Sequence, residues 1–220
     1  MTKTKQNQVE TFSVEEIELL AISLTEDEFD TIKILLALHE PLSTWKVQAQ
    51  LILGRLRSYF DQRTSKLSDE LGSLQTRMEL KSTGRIMPKI TKEDEEKLMK
   101  AYSEVANKSM SLRNYGPSTS TRELIKFSKE NKIPPVSFSR VKKILEFLYE
   151  KGLVQKRNDS HRKNVQILWY ISPTFVNAWR KRRDDVQKSP VDVSSLHPRL
   201  KEFLFLDSRD GSIRADPWPV

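Results

Sequence analysis

Apolar residues recur at three- and four-residue spacings over most of the chain, the signature of helices with one buried face. Phe29, Ile32, Leu35 and Leu36 form the clearest such stripe. It predicts a helix that opens at Thr25 and is ended by Pro41. Thr25-Glu26-Asp27-Glu28 fits the capping box, in which a hydroxyl caps a backbone N–H and the Glu three residues on reaches back; Ser13 to Glu16 and Ser120 to Glu123 repeat the pattern. After Pro41-Leu42, a short extended link, Ser43 caps a further helix running through Trp45, Val47 and Leu51.

Residues 53–90 support two readings. Leu53, Phe60, Leu67, Leu71, Leu74 and Met78 fall on heptad positions, with Arg57 and Thr64 as imperfect members, which predicts a long pairing helix or coiled-coil arm. Alternatively the helix stops near Gly72, which costs a helix interior roughly 1 kcal/mol relative to alanine, and Leu80 to Pro88 forms a small hairpin closed by the helix from Thr91. The second reading is slightly favoured by Gly72.

From residue 118 the elements come in a readable order. Leu124, Ile125 and Phe127 belong to an amphipathic helix ending near Asn131, and Lys132-Ile133-Pro134-Pro135 cannot continue it. A helix from Ser137 to Lys151 follows, with Val141, Ile144, Leu145 and Leu148 on one face and a basic first half outside; Gly152 ends it. Leu153 to Arg157 and Val165 to Ile171 read as two strands around the polar loop 158–164, and Pro173 opens a last helix with Phe175, Val176 and Trp179 inside. Trp169 and Trp179 are expected in the core.

Charge sharpens the picture. The chain carries 38 Lys and Arg against 30 Asp and Glu. Residues 118–185 hold 16 basic against 7 acidic side chains, so this third carries the whole excess, while residues 1–40 hold 3 against 9. A concentrated basic surface suits phosphate, because neutralising phosphates releases their counterions. The absence of cysteine, with His39, His161 and His197 scattered, excludes a zinc finger and leaves no metal site to expect. With 6 glycines and no phosphate-cradling loop of standard spacing, no enzyme activity and no cofactor are expected. No apolar run approaches the roughly 20 residues of a membrane span, so a cytoplasmic protein without membrane contact is the expectation.

The run Ser120 to Glu123, the turn at Pro134-Pro135, the helix Ser137 to Lys151 with its Tyr149-Glu150-Lys151-Gly152-Leu153-Val154 ending and the basic hairpin after it resemble the winged helix-turn-helix superfamily, as in prokaryotic and archaeal regulators of the MarR type. The resemblance covers about residues 94–185, if Asp94 to Met110 is the first helix, and departs from the family in the long Lys132 to Val136 turn. It implies a mainly α fold with small β-hairpins, in which the helix from Ser137 enters the major groove and the 158–164 loop is the wing. Ser137, Ser139, Arg140 and Lys143 are then placed at base edges, with Arg140 the candidate guanine reader and Lys142 at a phosphate. Arg157, His161, Arg162 and Lys163 grip the backbone or the minor groove, and Ser120, Thr121 and Arg122 offer a helix N-terminus to a phosphate.

The expected organisation is an acidic segment 1–24, a helical or winged-helix domain 25–93, the DNA-binding domain 94–185 and a tail 186–220 with a short helix around Leu200 to Leu206. The expected function is double-stranded DNA binding by a homodimeric transcription regulator, with the dimer contact in the heptad-like stretch or the helix after the wing. A replication or partition factor, and a winged helix used for protein contact, stand as alternatives.

Overall fold

The computed structural model describes residues 13–38, 40–82, 92–116, 118–159, 166–188 and 197–204. In chain order the elements are α1 (Val14–Ser23), α2 (Glu26–Leu38), β1 (Leu42–Ser43), α3 (Thr44–Ser82), α4 (Lys92–Leu112), α5 (Thr121–Glu130), α6 (Phe138–Glu150), β2 (Val154–Asp159), β3 (Gln166–Ile171), α7 (Pro173–Lys188) and α8 (Pro198–Leu204). The chain is thus mainly helical with one small antiparallel sheet. Two compact units emerge, one of residues 1–51 with 136–220 and the other of residues 52–135. The segment 94–185 singled out in the sequence therefore contributes α4 and α5 to the second unit and α6 to α7 to the first.

The first unit is organised by its sheet, whose strand order is β1-β3-β2. Leu42 faces Trp169, and Val154, Lys156 and Arg157 face Ile171, Trp169 and Leu168. Because side chains alternate along a strand, Leu42, Val154, Trp169 and Ile171 collect on one side, where all four are buried. Onto that core α6 brings Val141, Ile144, Leu145 and Leu148, and α2 brings Ile32, Leu35 and Leu36. Helix α2 packs on both α6 and β3, while α1, α7 and α8 pack on one another. Arg199 of α8 donates to the carbonyls of Ile22 and Leu24 at 3.4 and 2.6 Å, a cation at the end of α1 where the helix dipole favours one. The tail helix expected near Leu200 is this α8, with Leu200 and Leu204 buried.

Two capping boxes form as expected. Ser13 and Glu16 exchange hydrogen bonds of 2.7 and 3.2 Å, and Ser120 and Glu123 two of 3.3 Å. At α2 the back-bond from Thr25 N–H to Glu28 is present at 2.8 Å. In the first turn of α1 a backbone N–H, the Ser13 hydroxyl and the Arg182 charge hold the Glu15 carboxyl below the usual carboxylate range. Helix α6 ends in a Schellman motif: Gly152 takes φ 72°, its N–H donates to Tyr149 C=O, and Leu153 N–H donates to Leu148 C=O. Helix α5 ends in the same way with a lysine, Lys132 at φ 57°, and Ile133 N–H reaching Ser128 C=O at 2.9 Å. The Lys132 to Val136 turn is thus a helix stop followed by two prolines.

The second unit corrects the favoured reading of residues 53–90. Helix α3 is continuous over 39 residues and passes through Gly72 without a break. Leu53, Phe60, Leu67 and Leu71 are buried, and Leu74 and Met78 half-buried, so most of the heptad stripe is covered within this chain. Burial of this stripe outweighs the cost of one glycine, since each large apolar side chain removed from water contributes about 1.5–3 kcal/mol. Leu80 to Ser82, expected to open a hairpin, are helical, and residues 83–91 lie outside the described residues. Near the other end of this unit Arg57 donates to the carbonyls of Leu112 and Tyr115, and Ser109 donates to Asp61 at 2.9 Å, joining α3 to the last turns of α4. Phe60 meets Phe127 of α5 edge-on at 6.1 Å.

A Cβ added at Gly72 meets nothing within 4 Å, and this helical position is exposed. Gly72→Ala is therefore expected to stabilise the protein by about 1 kcal/mol through helix propensity alone, read as a raised urea midpoint at unchanged slope. A lower midpoint would mean that α3 is interrupted there.

Candidate nucleic-acid interface

Helix α6 turns its apolar stripe inward, which leaves Ser139, Arg140, Lys142, Lys143 and Glu146 on the outside. Its cap, Ser137, accepts from Arg140 N–H at 3.3 Å, so the Ser137 hydroxyl oxygen is engaged in helix initiation. Arg140 is further constrained: its Nε donates to Oδ2 of Asp27 at 2.5 Å. The Asp27 side chain is 4% exposed whereas that of Arg140 is 61% exposed, so a buried carboxylate on α2 holds the root of an outward-pointing guanidinium. The two residues stand 113 positions apart in the chain, and no local pattern announces the pair. Lys142 lies 3.8 Å from Glu146, an exposed contact one turn away that water and salt screen strongly.

The beginning of α3 lies beside the beginning of α6. Trp45, second residue of α3, stacks on Phe138, first residue of α6, with ring centroids 4.3 Å apart and planes tilted by 34°. Trp45 is nevertheless 53% exposed. Lys46 next to it is exposed and lies 3.5 Å from Glu40. The first turns of α1, α2, α4 and α5 all carry acidic residues, and those of α3 and α6 carry none. The starts of α3 and α6, which meet at this ring pair, therefore carry no first-turn carboxylate against their positive dipole ends.

Lys156 lies over the Tyr149 ring at 4.1 Å and the Trp169 ring at 5.8 Å, and Arg157 on the opposite side of β2 is exposed. His161, Arg162 and Lys163, expected in the wing, lie outside the described residues. Ser120, Thr121 and Arg122 belong to the second unit. Ser120 and Glu123 there form the capping box, which sets a carboxylate at that helix N-terminus and makes it a poor phosphate site. An open cavity of about 390 Å³ in the same unit is lined by Tyr115, Glu123, Lys126, Phe127 and Glu130 among others, with more negative than positive charge.

The basic run Arg180 to Arg183 on α7 is largely tied into the fold. Arg182 bonds to Glu18, and Arg183 lies 5.0 Å over the Trp179 ring and 3.7 Å from Asp184. Trp169 and Trp179 are buried, as core residues should be. Among the described residues no helix is long and apolar enough to cross a membrane. No family model, no curated protein and no solved structure matches the chain.

Proposed function

We propose that the first unit is a winged-helix domain that binds double-stranded DNA, with α6 in the major groove and the β2–β3 hairpin on the backbone. What carries the reading is the order α2, β1, start of α3, α6, β2, β3 together with the sheet order β1-β3-β2: helix, strand, two helices and a strand pair whose second member lies between the other two strands. On this reading α2, rather than the helix at Asp94, is the first helix of the domain, and residues 52–135 enter the chain between its second and third helices.

The surface chemistry points the same way. Ser139, Arg140, Lys142 and Lys143 occupy the first half of α6, the part of a recognition helix that reaches base edges. Asp27 holds Arg140 in place by its Nε, which leaves the two terminal nitrogens to meet a guanine or a phosphate in a pre-set direction. Lys46, Lys142 and Arg157 serve as backbone contacts. Leu53, Phe60, Leu67 and Leu71 of the α3 heptad stripe are already buried in the single chain, which leaves only its end at Leu74 and Met78 for a homodimer of the kind two-fold sites require, or else another surface.

Selection from a pool of random duplexes tests the function. Enrichment of one motif, with affinity falling steeply as salt rises, is the outcome expected of a sequence-reading regulator. Salt-dependent binding without enrichment would leave a non-specific DNA-binding protein, and no binding would remove the DNA reading.

A further inference from the structure

A tryptophan half open to solvent is unusual, because its large apolar surface is normally buried. Trp45 is also not isolated. It stacks on Phe138 at the N-termini of α3 and α6, with Lys46 next to Trp45 in the chain and Lys142 one turn after Phe138, both exposed. Lys46 and Lys142 have only exposed carboxylate partners, Glu40 at 3.5 Å and Glu146 at 3.8 Å, contacts weak enough in water to be exchanged for phosphates.

An apolar occupant alone does not use Lys46 and Lys142, and a phosphate alone does not use the rings of Trp45 and Phe138. An exposed aromatic pair with lysines beside it matches the floor of an A·T-rich major groove. There the thymine C5-methyl groups project between two rows of phosphates. Building on the DNA-binding reading above, we infer that the Trp45–Phe138 pair is a specificity element that packs against thymine methyl groups, while Lys46 and Lys142 meet the phosphates. Position supports this: Phe138 is the first residue of α6, one turn ahead of Lys142, so a helix docked by its lysines carries the ring pair towards the base edges.

Short duplexes of alternating A·T pairs are to be compared with the same duplexes carrying uracil for thymine, which removes only the methyl groups. Binding of the full chain is measured by anisotropy over a salt series. Wild type is expected to bind the uracil duplex about three- to fivefold more weakly for each methyl group that the ring pair covers. Trp45→Ala and Phe138→Ala are expected to bind both duplexes equally, at the weakened level, with the wild-type salt slope. Trp45 is exposed, so its variant retains the core, and Phe138→Leu, which keeps an apolar side chain, is expected to recover part of the thymine preference. Equal, salt-dependent binding of both duplexes by wild type would overturn the thymine contact and leave DNA binding standing. A thymine preference that survives in both alanine variants would assign it to other residues and overturn the role of the ring pair. Absence of salt-dependent binding to either duplex would overturn the DNA reading itself and this inference with it.

Discussion

Trp169→Ala is expected to destabilise the first unit by about 3–5 kcal/mol, the usual cost of emptying a buried aromatic site. Trp169 is 1% exposed, lies on the central strand β3 and faces Leu42 of β1 on one side and Lys156 of β2 on the other. Its Nε1 donates to the Thr44 hydroxyl at 3.0 Å, so the substitution also removes a bond to the first residue of α3. The ring further supports Lys156. Trp169→Phe, which keeps most of the volume and loses the hydrogen bond, should cost clearly less, about 1–2 kcal/mol. Urea unfolding followed by far-ultraviolet circular dichroism reads both. Equal, small effects for the two variants would mean that β1 and β2 are not joined through this ring.

The second large effect concerns binding. Reversing charge with the pair Lys142→Glu and Lys143→Glu should lower affinity for duplex DNA by at least about a hundredfold at low salt and reduce the slope of log affinity against log salt by about two. Both side chains are exposed, and the buried face of α6 is Val141, Ile144, Leu145 and Leu148, so the fold is expected to hold. The matching reversal on α5, Lys126→Glu with Lys129→Glu, changes net charge equally and should have a several-fold smaller effect. Equal losses for the two pairs would indicate attraction by total charge rather than by the α6 surface.

The local grammar of the sequence carried over into the structure wherever a single element decides it. The Ser13 and Ser120 capping boxes, the left-handed Gly152 at the end of α6, the inward stripe of α6 and the strands around 158–164 all depend on neighbours within a few residues. What was not legible depends on partners far away in the chain. β1 is two residues long, too short for any alternation, and exists only because it pairs with Leu168 and Trp169. Gly72 signalled a helix end from local propensity, whereas the burial of Leu67 and Leu71 in the turns just before it keeps the helix whole. The division of the chain into interleaved units has no periodicity to announce it. Segments 1–51 and 136–220 come together through contacts such as Gln48 Nε2 to Val136 C=O at 2.7 Å, 88 residues apart.

The candidate site shows the same division. Arg140, Lys142 and Lys143 stand on the exposed side of α6 as their spacing implied. The control of Arg140 by Asp27 and the juxtaposition of Trp45 with Phe138 arise only when α2 and the start of α3 meet α6. An aromatic at the second position of a helix was one available signal, since Trp45 falls outside the buried set Val47, Leu51 and Leu53 of the same helix.

Amide hydrogen exchange of the full chain, with and without duplex DNA, tests the central claim most directly. The winged-helix reading expects DNA to slow exchange at the starts of α3 and α6, around Thr44 to Lys46 and Ser137 to Lys143, and along β2, while α4 and α5 keep their free-protein rates. Slowing confined to residues 52–135, or binding that leaves the α6 start unchanged, would contradict it.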